Sequence, residues 1–126
     1  MKTKHLYLVT AIVSLVFALA LLLMPTVMLS LFGVTNPARS STVLAQLIAV
    51  ELTVSGVILL MLREVMDLKV RTALNIGNMV AGVLGVVVTL NATLTGTFGW
   101  FGYVIAAIYA LIAVAFGYFQ FFGPVN

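Results

Sequence analysis

The chain has 126 residues, of which 63% are hydrophobic and only 7% charged, with a formal net charge of +3 and a mean hydropathy of +1.27. Soluble domains are about 25% charged, so this composition excludes a water-facing surface and requires one that faces lipid. There is no cysteine, which excludes disulfides, thiolate nucleophiles, iron–sulfur clusters and cysteine-ligated zinc. His5 is the only histidine and builds no metal site by itself. No metal and no cofactor is expected.

A membrane-spanning helix needs about 20 mainly apolar residues. Four such runs take up most of the chain and leave only short loops. The first covers roughly His5–Leu23. Lys2 and Lys4 precede it and Ala18-Leu19-Ala20 has the look of a cleavage site, but the apolar run continues past that point. An uncleaved spanning helix is expected. Pro25 interrupts, and Pro25–Gly33 is too short to span. Proline at its start and glycine at its end fit a short helix, placed at the interface. Asn36-Pro37 marks a turn.

The second run, roughly Ser41–Leu62, ends in the charged hairpin Arg63–Arg71. The third is roughly Val70–Leu90, followed by an uncharged loop over Asn91–Phe98. The fourth is roughly Gly99–Phe121, closed by Gly123-Pro124. The expected fold class is all-α: an integral membrane four-helix up-down bundle, one transmembrane domain over residues 1–126, with a short interfacial helix after helix 1.

Basic residues orient such a chain. Lys2, Lys4, Arg63, Lys69 and Arg71 fall on one side and Arg39 alone on the other. This places the N- and C-termini in the cytoplasm of a multi-pass protein of the cell membrane. Trp100, Phe101 and Tyr103 then anchor the outer face. The positive charge is explained by insertion, and no nucleic acid partner is expected. In the hairpin, Asp67–Arg71 and Arg63–Asp67 are expected as modest ion pairs, with anionic lipid headgroups as an alternative use of the basic side chains.

Small and polar residues recur at alternating spacings of three and four, which places them on one helix face. The third run carries Arg71, Asn75, Asn78, Gly82, Gly85 and Thr89. The second carries Thr42, Gln46, Ala49, Thr53 and Gly56. The fourth carries Tyr103, Ala106, Ala110, Ala113, Gly117 and Gln120, and the first a weaker set of Tyr7, Ala11, Ser14 and Ala18. Small residues allow backbones to approach closely in lipid, where leucine gains little by leaving the acyl chains. Gln46, Ala49, Gly56, Gly82, Gly85, Ala106, Ala110, Ala113 and Gly117 are therefore read as helix-packing positions. Asn75 and Asn78 serve as packing glue or as part of a polar pocket.

Glu51 is the only charged side chain well inside any of the four runs. A carboxyl at that depth is costly unless neutral, hydrogen-bonded or facing a wet cavity. It is expected to be neutral and to donate a hydrogen bond to Asn78, Tyr109 or a carbonyl of the first run. Nine positions separate it from Thr42, which turns it away from the Thr42/Gln46/Ala49 stripe. It then faces another helix, a cavity or a partner. Glu51, Asn75, Asn78 and Tyr109 form the candidate ligand or proton site.

The proline-initiated segment Pro25–Gly33, the charged hairpin Arg63–Arg71 and the Thr95-Gly96…Gly99-Trp100 entry to the last run together resemble the DoxX-like group of small four-helix bacterial membrane proteins and allied uncharacterised families. The resemblance covers most of the chain. It implies a four-helix fold in a bacterial inner membrane and carries no chemistry.

Paired carboxylates, a metal-ligand set, a serine–histidine arrangement and a phosphate loop are all missing from the sequence, so an enzyme is not expected. Three functions remain in order. The first is a non-enzymatic accessory or scaffold subunit of a membrane assembly, with a protein partner or a homo-oligomer and membrane lipids around it. The second is a binding module for a lipid or lipophilic small molecule, with Gly82 and Gly85 leaving room and Asn75, Asn78 and Tyr109 orienting the ligand. The third is a homo-oligomeric proton-coupled transporter using Glu51.

Overall fold

The computed structural model describes residues 2–123. Pro124, expected with Gly123 to close the last helix, lies outside the described residues. The described residues form five helices: α1 (Thr3–Leu23), α2 (Pro25–Leu31), α3 (Arg39–Met61), α4 (Leu68–Leu94) and α5 (Phe101–Phe121). Four of them, all but α2, are long and apolar enough to cross a membrane. Their outward faces are aliphatic: Leu111 and Val114 are each 70% exposed, an arrangement suited to lipid and not to water.

Local chemistry sets the ends of these helices. Pro25 occupies the first turn of α2, where its missing N–H costs nothing. Gly33 ends α2 at a φ of +85°. Its N–H donates to the Ser30 carbonyl at 3.0 Å, and the Val34 N–H to the Leu29 carbonyl at 3.0 Å, the paired bonds of a left-handed C-terminal cap. Asp67 caps α4 by accepting from the Val70 N–H at 3.0 Å. α4 runs on through Asn91, Ala92 and Thr93, where the polar composition suggested a loop. Thr93 and Thr95 donate back to the Thr89 and Asn91 carbonyls at 2.7 and 2.8 Å, so their hydroxyls are satisfied within the helix. Gly96, at a φ of +83°, lies just beyond its end.

The long helices form two packed pairs, α1 with α3 and α4 with α5. In the first, Gln46 near the start of α3 donates to the Leu22 carbonyl near the end of α1 at 3.2 Å. Further along, a Cβ at Gly56 would come within 3.3 Å of the Ala11 carbonyl and 2.7 Å of Leu15. In the second, a Cβ at Gly82 would meet the Ala113 nitrogen at 2.8 Å and the Tyr109 carbonyl at 2.9 Å, and one at Gly85 would enter the Tyr109 ring. Within each pair the contacts therefore run in opposite directions along the two helices. The short hairpin between α3 and α4 does not make them a packed pair, contrary to what loop length alone suggests. Each is already occupied by a partner lined with small residues.

The two pairs are joined at their ends. At one, Tyr7 of α1 stacks on Phe116 of α5 with ring centroids 5.8 Å apart, inside a core with Leu6, Ala11 and Leu59. At the other, Phe32 packs against Phe98 and Phe101 at 4.9 and 5.1 Å, and the Gly99 N–H donates to the Phe32 carbonyl at 2.6 Å. Gly33 and Gly99 are the residues that let these two loops touch.

Gly82→Ala should destabilise the protein by about 1–3 kcal/mol through overpacking. Gly77→Ala, where a Cβ meets nothing within 4 Å, should be neutral or slightly stabilising. Unfolding of both variants in detergent checks the difference.

Candidate functional site

A buried polar network forms at the end of the protein where α1 begins. The Tyr7 hydroxyl donates to Asn75 Oδ1 at 2.7 Å and lies 3.4 Å from the Arg71 carbonyl. The Asn75 amide donates to Gln120 Oε1 at 3.1 Å. One turn earlier on α4, Arg71 Nη2 donates to Thr3 Oγ1 at 2.6 Å. The chain Gln120–Asn75–Tyr7, with Arg71–Thr3 beside it, ties α1, α4 and α5 together. Tyr7 is fully buried and Asn75 and Arg71 nearly so. Buried polar groups in apolar surroundings persist where each finds a partner.

The four residues singled out in the sequence do not form one site. Asn75 belongs to this network. Asn78, one turn further along α4, donates back to the Leu74 carbonyl at 2.8 Å. Tyr109 lies over Gly85 and lines a cavity elsewhere. Glu51 is exposed on α3, while Ala45, Ala49, Gly56 and Leu59 of that helix are buried. Thr42, Gln46 and Thr53 of α3 find carbonyl acceptors, and Glu51 finds none among the described residues. The expected bond from Glu51 to Asn78, Tyr109 or α1 is thus not made, because the carboxyl points out of the two packed pairs.

The packing residues are placed as follows. Ala49, Gly56, Gly82 and Ala106 are buried; Gln46, Gly85, Ala110, Ala113 and Gly117 are half-buried. Ala113 lies directly over Gly82, and Met79 Sδ lies 3.2 Å from where a Gly117 Cβ would be. Gly82 and Gly85 leave no room for a ligand. Tyr109 and Ala113 fill the space above them.

Space is found between the helix pairs. A cavity of about 290 Å³ lies among α1, α2, α3, α4 and α5, with Phe17, Met28, Ile48, Leu52, Ile105 and Tyr109 among its walls. Its polar groups include Ser14, Thr89 and the tyrosine, and the Thr89 hydroxyl is already bonded to the Gly85 carbonyl at 2.6 Å. The cavity follows from the pairing: two tight pairs joined at both ends need not meet in the middle. Ile48 stands one turn before Glu51 on α3. At about 3.6 residues per turn, the carboxyl lies about 60° further round the helix than this wall residue, outside the cavity.

The network residues Tyr7, Arg71 and Gln120 stand in the sequence stripes, but nothing in the sequence pairs them across elements. Thr3 falls before the first apolar run and carries no signal of its own. Among the described residues, other hydrogen bonds take the place of the expected hairpin ion pairs. Asp67 caps α4, Arg63 Nη1 donates to the Leu60 carbonyl at 2.9 Å, and Arg71 turns to Thr3. Among the described residues, no three His, Cys, Asp or Glu side chains are grouped to hold a metal ion.

Tyr7→Phe should cost about 0.5–2 kcal/mol, the range for a hydrogen bond between membrane helices. Asn78→Ala, which removes only a bond within one helix, should cost a few tenths of a kcal/mol, about the worth of a local contact. Detergent unfolding of the two variants side by side tests whether the network joins the pairs.

Comparison of the chain with family models, with curated proteins and with solved structures gave no match.

Proposed function

We propose that the protein is a non-enzymatic scaffold or accessory subunit of a membrane assembly, docking through the face of α3 that bears Glu51. In this reading the four long helices cross the cell membrane as an up-down bundle, α2 lies at the outer interface and both termini are cytoplasmic. The bias of basic residues toward the α1 start and the α3–α4 loop supports that orientation.

The observation that carries the reading is the exposure of Glu51 near the middle of a spanning helix. A charge at that depth costs roughly 3 kcal/mol on insertion scales, and a glutamate side chain is too short to reach either interface. Its helix neighbours outside the packed face, Ile48, Val54 and Ile58, are exposed aliphatics. They supply no hydrogen bond. A second protein that pairs the carboxyl and packs on these side chains removes the cost.

A second reading rests on the cavity between the pairs. At about 290 Å³ it stands at the lower edge of ligand-pocket volumes, which begin at about 300 Å³. Its walls suit an acyl chain or another lipophile. Filling it with Ile48→Trp, at a partly exposed wall residue, should weaken binding of a lipophilic fluorescent probe by tenfold or more, on the order of one pocket-filling side chain. Equal binding by both proteins would sink this reading.

The test of the main reading is purification from native membranes in mild detergent, followed by measurement of mass and composition. The wild type should run as a defined complex well above 13.5 kDa. Glu51→Leu should keep its fold and leave the complex, since losing a buried polar partner at an interface costs about 2–5 kcal/mol. A wild-type monomer, or a complex indifferent to Glu51→Leu, would overturn the proposal.

A further inference from the structure

We propose that Arg71, Lys2, Lys4 and Arg63 form a binding site for a phosphate-bearing anion, at the end of the protein where α1 begins and α3 hands over to α4. The site is separate from the Glu51 face and does not depend on it.

A cavity of about 250 Å³ opens there, lined by Lys2, Thr3, Lys4, Arg63, Glu64, Val65, Met66 and Arg71. Four of its side chains are cationic and one is a carboxylate. Arg71 is only 6% exposed. Its Nη2 is bonded to Thr3, but its Nη1 is buried and has no partner among the described residues. A buried charged donor without an acceptor is costly, and an anion in the cavity would lie against the guanidinium that carries it.

The guanidinium is held in place before any ligand arrives. Thr3 fixes one nitrogen. The Tyr7 hydroxyl, itself held by Asn75, lies against the Arg71 carbonyl. Asp67, the nearest acid in sequence on that side, is engaged as the α4 cap and does not neutralise Arg71. The planar fork of arginine matches phosphate oxygens. Lys2 and Lys4 add mobile point charges on exposed stems. A phosphate presents up to four oxygens to these groups, where a carboxylate presents two.

The phosphate belongs either to the headgroup of an anionic phospholipid or to a free phosphate ion. Delipidated protein in neutral detergent separates the two. In one arm, native mass spectrometry follows retention of phosphatidylglycerol against phosphatidylcholine. In the other, inorganic phosphate is titrated against chloride at equal ionic strength and the unfolding midpoint is read. Both arms compare wild type, the double variant Lys4→Gln/Arg63→Gln, and Lys69→Gln. Lys69 is exposed near the same end but does not line the cavity. All three substitutions are at exposed positions, so folding is preserved.

The double variant should weaken binding about 30-fold, from roughly a five- to sixfold step for each of the two basic groups lost. Lys69→Gln should change it by less than about twofold, as for an unpaired surface charge. A retained phosphatidylglycerol lost in the double variant assigns the site to the headgroup. A midpoint raised by inorganic phosphate in wild type alone assigns it to the free ion. Equal weakening by Lys69→Gln and the double variant would reduce the effect to general surface charge and overturn the proposal. So would failure of both ligands to distinguish wild type from the double variant.

Discussion

The hydrogen bond from Tyr7 to Asn75 is the contact on which the arrangement of the four long helices depends. Lipid offers no gain for moving one leucine-covered helix against another, so the two helix pairs need a specific reason to stay together. Tyr7 gives it twice over: its hydroxyl reaches Asn75 on α4 and its ring stacks on Phe116 of α5. Asn75 passes the connection on to Gln120. Tyr7 and Asn75 are both buried in the protein, so parting the pairs takes from each the partner that offsets its burial.

Within each pair the physics is different. Gly56 against Ala11 and Leu15, and Gly82 and Gly85 against Ala113 and Tyr109, bring backbones so close that a methyl group would collide. Dispersion over that close approach holds α1 to α3 and α4 to α5. The far end of the molecule adds a cluster of Phe32, Phe98 and Phe101, with the Gly99–Phe32 backbone bond beside it. Tight pairs joined at their two ends leave an apolar cavity between them, bounded at one end by Phe32 and Phe98. One packing scheme thus accounts for the filled glycine faces and for the empty space beside Leu52 and Ile105.

Much of this was legible in the residues. Pro25 and Gly33 mark a short helix because their backbone preferences act locally, without tertiary help. The stripes of small residues on the second, third and fourth runs mark packed faces because spacing alone decides which side chains share a face. Counting 100° per residue turned Glu51 away from its stripe, and the structure leaves it exposed. What spacing does not carry is partnership. Asn75 and Asn78 are three residues apart and read alike, yet one joins three helices and the other bonds its own. Thr3 and Arg71 are 68 residues apart, and neither sits in a pattern that points to the other. The end of α4 has the composition of a loop, yet it stays helical because its threonines satisfy their hydroxyls on carbonyls one turn back.

Glu51 is the exposed carboxyl that the isolated chain leaves unexplained, and the partner proposed for the α3 face would pair it. The absence of cysteine from the sequence permits a direct test in native membranes. Ile58 lies two turns beyond Glu51 on nearly the same line, and Val83 sits on an exposed face of α4. Each is replaced singly by cysteine, and a short thiol-reactive photo-crosslinker is attached. The account predicts one discrete product of higher mass from Ile58→Cys and none from Val83→Cys. The same diffuse lipid labelling from both positions would show that the Glu51 face is bare, and would contradict it.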